Sequence, residues 1–214
     1  GVSNAKGSGI YVVKVATAKI RNNVIYDLTG SEGYGIYLSY FASAGNYYID
    51  NNTIQNCGTG IWRNDSTLGS AVARNNLIKG CLSAANATGG AWSAWTDYNA
   101  TDNTSMAYTV TGGGNTHDRV GQTFAFVDEA NDDFHLAPAD IGAKDAGTDL
   151  SATFKDDIDG AALRPNGAAY DIGADEWFSS SPVYNTSGTF TSGTIDFGGP
   201  VDFSTLSWTA TVPS

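Results

Sequence analysis

Two interleaved blocks, each recurring at roughly 25 residues, constrain this chain more than anything else in it. Gly9-Ile10-Tyr11 returns as Gly35-Ile36-Tyr37 and as Gly60-Ile61-Trp62, at intervals of 26 and 25 residues. Out of phase with it run Ile20-Arg21-Asn22-Asn23-Val24-Ile25, Ile49-Asp50-Asn51-Asn52-Thr53-Ile54 and Ala73-Arg74-Asn75-Asn76-Leu77-Ile78, at intervals of 29 and 24. Self-similarity at a fixed period marks an array in which each repeat buries its apolar face against the next. The apolar residues come in short runs bounded by Gly or Asn. None recurs at i, i+3, i+4 and i+7 over three turns, so the units are strands. Two or three short strands per repeat, without a helix, describe a parallel β-solenoid. A leucine-rich repeat would need a Leu ladder, and propeller blades need a longer period.

The paired asparagines have a mechanical reason. A sharp corner between strands needs a residue in the left-handed region, which Asn tolerates best after Gly. Coils stacked about 4.8 Å apart then bring equivalent side chains within hydrogen-bonding reach along the axis. The expected amide ladder is Asn23, Asn52 and Asn76. Side chains alternate along a strand, so the aromatic after each inward Ile points outward. Tyr11, Tyr37 and Trp62 are therefore expected to line up on one face and to contact carbohydrate or another protein. Cys57 and Cys81 hold the place that Leu28 takes in the first block, which reads as interior. Stacked rungs lie within Cα range of a disulfide, but parallel stacking gives poor Cβ geometry, so buried free thiols are favoured.

These I-x-N-N-x-I and G-I-Y elements resemble the right-handed parallel β-helix repeats of the pectate-lyase-like superfamily, in its bacterial secreted or surface form. Asp133-Phe134-His135-Leu136-Ala137-Pro138 … Asp145-Ala146-Gly147 resembles the exit region of such proteins. So does Asp157-Ile158-Asp159-Gly160 … Arg164-Pro165 … Tyr170-Asp171-Ile172-Gly173-Ala174-Asp175-Glu176, and the resemblance implies that this region closes the last coils. The fold class is all-β. Residues 1–177 are expected to form the β-helix with its closing segment. Residues 178–214 form a linker and a β-strand tail that resembles part of a β-sandwich module. Family members usually have more coils and an N-terminal cap, whereas this chain opens directly into a coil. An open strand edge at that end, and a tail with too little sheet to stand alone, suit either a piece of a longer chain or head-to-tail strand addition between copies.

Charge narrows the partners. The formal net charge is −11, and charged residues are only 15% of 214. An acidic surface disfavours nucleic acid, and acidic polysaccharide unless calcium bridges the two. No apolar run approaches the length of a membrane span. The composition suits a secreted, extracellular or cell-surface protein. Asn-x-Ser/Thr sequons at Asn51, Asn64, Asn86, Asn99, Asn103 and Asn185 are a weak signal in so Asn-rich a chain.

Enzymes of the superfamily act on polysaccharides, lyases with a Lys or Arg base beside calcium and hydrolases with paired carboxylates. The three clear coils carry only scattered Arg21, Asp50, Arg63, Arg74 and Lys79, so a lyase would have to use Arg63 or Arg74 as base. His117 and His135 lack zinc-ligand spacing. Asp156, Asp157 and Asp159 sit in a Gly-containing loop whose oxygens suit calcium. The whole acidic segment, with Asp171, Asp175 and Glu176 added to these, also suits turn chemistry with an ion pair to Arg164. The expected role is a non-catalytic structural or adhesive unit, contacting polysaccharide or neighbouring copies of itself, including assembly into a fibre. The alternative is a polysaccharide lyase or glycoside hydrolase whose catalytic coils lie upstream.

Overall fold

Each repeat folds as one coil of three short strands. The structure, a computed structural model, describes residues 7–39, 45–64, 69–88, 90–160 and 164–178. The first coil is β1 (Gly7–Val13), β2 (Thr17–Arg21) and β3 (Val24–Tyr26). The second is β4 (Gly33–Ser39), β5 (Asn46–Asp50) and β6 (Thr53–Gln55). The third is β7 (Thr59–Asn64), β8 (Ser70–Arg74) and β9 (Leu77–Lys79), and a fourth keeps β10 (Ser83–Thr88) and β11 (Ala100–Thr101). Every strand pairs in parallel with its counterpart one coil on, which gives the sheets β1-β4-β7-β10, β2-β5-β8 and β3-β6-β9-β11. The chain is thus a right-handed parallel β-helix. An antiparallel hairpin follows, β12 (Phe126–Asp128) and β13 (Asp133–Leu136).

Register stacks like on like in the interior. Ile10, Ile36, Ile61 and Ala85 form one column, and Ile25, Ile54 and Ile78 another. Ile36, Ile49, Ile54 and Ile78 are wholly buried, each worth roughly 1.5–3 kcal/mol of removed apolar surface. The glycine of the repeat permits this closeness. A Cβ on Gly35 would lie 2.5 Å from Ile54 Cγ2 and 2.6 Å from the Gly60 carbonyl oxygen. Trp92, Met106 and Val110, beyond the regular coils, join the same core. Cys57 and Cys81 are buried free thiols, with the Cys57 amide donating to Cys81 Sγ at 3.4 Å.

The corner between the second and third sheets divides its work between two asparagines. The first takes the left-handed backbone, at φ 53° in Asn22, 52° in Asn51 and 55° in Asn75. The second builds the ladder. Asn23 Nδ2 donates to Asn52 Oδ1 at 2.8 Å, Asn52 Nδ2 to Asn76 Oδ1 at 2.9 Å, and Asn76 Nδ2 to Asn99 Oδ1 at 2.8 Å. Asn99 in turn donates its backbone N–H to Asp118 Oδ1 at 2.8 Å, and Tyr108 donates its hydroxyl to the other carboxylate oxygen.

The closing segment packs Leu136, Ala143 and Ile172 against Leu77 and Ala100 of the last two coils and extends beyond them. It lies along the asparagine corner and touches the first three. Asn22 Nδ2 donates to the Asp156 carbonyl, Asn51 Nδ2 to those of Asp171 and Gly173, and Asn75 Nδ2 to that of Thr148. The physical reason is supply and demand of hydrogen bonds: a left-handed Asn points its amide out of the coil, where a non-repetitive segment can accept it. Arg164 holds this segment together. Its fully buried guanidinium meets Glu176 Oε2 at 3.1 Å and donates to the carbonyls of Asp156, Asp171, Gly173 and Ala174. Of the carboxylates in the acidic segment, Glu176 is the one that forms the ion pair with Arg164.

The chain divides into two compact units, 1–179 and 180–214. The β-strand tail expected beyond residue 178 lies outside the described residues. Among the described residues, no helix is long and apolar enough to cross a membrane.

Candidate functional site

The outward face of the first sheet carries an aromatic column. Register places Tyr11, Tyr37 and Trp62 one above another, with Asn86 next in line. Ring centroids are 5.2 Å apart for Tyr11 and Tyr37, and 6.3 Å for Tyr37 and Trp62. Tyr34 completes the group, 4.9 Å from Tyr37 and 4.7 Å from Trp62, edge-on to the indole. Strict alternation hides Tyr34, because it lies three positions from Tyr37; pairing is interrupted at Gly9 and Gly35, and both tyrosines end on one face. A shallow cleft of about 460 Å³ opens here, lined by Gly7, Ser8, Tyr11, Glu32, Tyr34 and Tyr37. Tyr11 is 55% exposed. Trp62 does not line the cleft. It props Tyr34 from behind, and Asn64 Nδ2 donates to the Tyr37 hydroxyl at 2.6 Å.

The second sheet carries a column of charge. Arg21, Asp50, Arg74 and Asp97 are successive register partners, so sign alternates coil by coil. Arg74 grips Asp50 with two bonds of 2.9 Å, and Asp97 accepts the His117 amide at 2.8 Å and meets its Nδ1 at 2.6 Å. Burial raises the Asp50 carboxyl above its usual range, with Arg74 opposing. A cleft of about 290 Å³ beside this column is lined by Lys19, Arg21, Tyr48, Asp50, Arg74 and Thr153. Arg63, by contrast, is interior. It stacks on Leu38 and donates to the carbonyls of Ala91 and Gly69. Arg63 and Arg74 are both engaged as donors, so neither stands ready as a base.

The acidic loop separates its three aspartates. Asp156 contributes a backbone carbonyl to Asn22 and Arg164. The Asp157 carboxylate accepts the amides of Asp159, at 2.8 Å, and Glu176, at 3.3 Å. Asp159 instead faces His135, whose Nε2 lies 3.1 Å from its Oδ1. Asp175 joins them: one donor atom from each of His135, Asp159 and Asp175 falls within 4.8 Å of the others. Burial disfavours charge on His135, but its bonds to Asp133 and Asp159 outweigh that and hold its pKa up to about 9. Burial raises Asp175 to about 6 and Asp171 to about 7. Sequence spacing could not reveal this cluster, because its members are 16 to 40 positions apart. Two of the sequons are closed to modification in the folded protein, since Asn51 and Asn99 are buried in the corner.

Comparison with known proteins gives a family and no near relative. The family model described as "Periplasmic copper-binding protein (NosD)" matches residues 1–120. No curated protein matches the chain, and no solved structure does. The matched span holds all four coils, both surface columns and the ladder from Asn23 to Asp118. It covers more than half of the 214 residues, and the chain therefore belongs to the NosD family of parallel β-helix proteins.

Proposed function

We propose that this chain is a non-catalytic, extracytoplasmic β-helix that binds neutral carbohydrate in the Tyr11–Tyr34–Tyr37 cleft. The family's description is periplasmic, which assigns the protein coarsely to the space outside the cytoplasm; secretion or surface display is the finer form of this reading. The observation that carries it is the aromatic cleft itself. Rings in the middle of the column cover one another, but Tyr11 at its end presents a face, and Ser8 and Glu32 add hydrogen-bonding groups beside it. Aromatic faces with polar rims suit the apolar faces and hydroxyls of sugar rings. Glu32 and the net charge of −11 favour uncharged sugars over uronic acids.

The family description also names copper. Inside the matched span the soft donors are Cys57, Cys81 and Met106, all buried, while His117 is bound to Asp97. Copper favours thiolate, thioether and imidazole converging on one point. Cys81 holds its proton firmly, first through its hydrogen bond to Cys57 and then through burial. Among the described residues, no imidazole joins these sulfurs in a metal-sized group. The described residues of the matched span thus do not form a copper site of that kind.

The experiment is a neutral and acidic glycan panel screened against the full chain, followed by titration calorimetry on any hit. The reading expects a neutral glycan to bind and Tyr11→Ala to weaken it at least tenfold, with folding unchanged. A panel without binders, or a Tyr11→Ala variant that binds as tightly, would refute it.

A further inference from the structure

We infer that His135, Asp159 and Asp175 form a binding site for one divalent transition-metal ion of the zinc or copper(II) class. The site lies outside the span matched by the family model and uses none of the residues of the aromatic cleft.

Its parts come from three segments brought together by the fold. His135 belongs to β13, where alternation buries Phe134 and Leu136 and turns Asp133 and His135 outward. Asp159 sits in the Asp157–Gly160 turn, whose form is fixed by the Asp159 amide bonded to Asp157 Oδ1 at 2.8 Å. Asp175 lies in the closing segment, only 4% exposed, and its Oδ2 accepts the Leu136 amide at 2.6 Å. The two strands of chain are stitched together beside it, since the Ile158 amide donates to the Ala174 carbonyl.

Two further features point to a cation. Asp133 Oδ1 holds His135 Nδ1 at 2.5 Å, which aims Nε2 at Asp159 and Asp175. A carboxylate on the far nitrogen is the usual second support of a metal-bound imidazole, fixing its tautomer and raising its basicity. Asp175 is the second feature. Its carboxylate is nearly out of solvent, and the Leu136 amide fixes its Oδ2 within reach of His135 and Asp159. One imidazole nitrogen and two carboxylate oxygens, with positions left for water, suit zinc or copper(II). Calcium takes six to eight oxygens and gains little from imidazole.

The test is titration calorimetry of the intact chain with zinc, copper(II) and calcium chlorides, paired with copper(II) paramagnetic resonance. One zinc or copper ion per chain is expected, with nitrogen coupling from a single imidazole and no calcium binding in the same range. His135→Ala should weaken zinc binding at least tenfold. Asp159→Asn should also weaken it, and because Asp159 is exposed this variant keeps the fold intact. His117→Ala should bind like the parent. Absence of stoichiometric zinc binding would overturn the inference. So would equal affinity in His135→Ala and Asp159→Asn, loss of binding in His117→Ala, or a preference for calcium.

Discussion

Replacing Asn76 with alanine removes an interior rung of the ladder. The side chain is fully buried and makes four hydrogen bonds. Nδ2 donates to the Ile49 carbonyl and to Asn99 Oδ1, both at 2.8 Å. Oδ1 accepts the Asn52 amide at 3.1 Å and Asn52 Nδ2 at 2.9 Å. Alanine leaves the Asn52 backbone N–H without an acceptor in a dry interior. An orphaned buried group costs about 1–3 kcal/mol, and each lost net bond about 1 kcal/mol. The expected loss is therefore about 3–5 kcal/mol, a large share of the roughly 5–15 kcal/mol that holds a typical domain. Asn23→Ala is the internal control. It loses bonds to Asn52 Oδ1 and the Arg21 carbonyl, but it is half-buried at the end of the ladder, where water replaces them. Its expected loss is about 1 kcal/mol. Urea unfolding followed by tryptophan fluorescence and far-ultraviolet dichroism measures both, provided the slope is unchanged. Equal losses in Asn76→Ala and Asn23→Ala would show that the amides are ordinary turn residues and the ladder carries no special energy.

Three further outcomes follow from buried groups. Arg164→Met strands Glu176 without its partner and should cost about 3–5 kcal/mol, with Arg164→Met/Glu176→Gln recovering part of it in the same unfolding assay. Both cysteines should resist a thiol reagent in native buffer and react at once in denaturant, two per chain; rapid native labelling would contradict their burial. Burial raises Asp171 from 3.8 to about 7, so the folded state holds this proton more tightly than the unfolded chain. The stability it confers is complete below about pH 4 and is lost as pH rises through about 7. Thermal melts should therefore show a higher midpoint at pH 5.5 than at pH 8, with Asp171→Asn reducing the difference.

The solenoid was legible where side chains were large enough to print a period. Isoleucine at 10, 36 and 61, and asparagine pairs at 22–23, 51–52 and 75–76, stand out against any background. The fourth coil was not, because its core positions shrink to Ala84 and Ala85, and Tyr98 takes the left-handed corner at φ 60° where Asn stood before. Asn99 continues the ladder from a sequence context that no longer looks like a repeat. The aromatic column followed from alternation, and Tyr34 escaped for the same reason, since a local break in pairing turns an odd spacing onto one face. The acidic loop shows the limit of local reading. Asp156, Asp157 and Asp159 look like a cage in sequence, yet the Asp157 carboxylate accepts the amides of Asp159 and Glu176, and Asp159 meets His135. His135 and Asp175 approach Asp159 only through tertiary structure. The path of residues 140–160 and 164–177 along the corner is set by outward-pointing amides, which no spacing rule announces.

The ladder of asparagines runs one way. Each amide gives a proton to the next coil and receives one from the coil before, so every Asn rung can be both customer and supplier. Asp118 breaks that symmetry. A carboxylate accepts and has nothing to hand on, and its second oxygen is already taken by Tyr108. A coil inserted or deleted among the asparagine rungs would leave the ladder's own donor–acceptor order unchanged; what ties those coils to fixed places is the closing segment, bonded to Asn22, Asn51 and Asn75. Past Asp118 the ladder itself cannot be extended. A single oxygen in place of an amide nitrogen acts as a chain terminator for the stack, and beyond it the chain turns to the hairpin and closing segment.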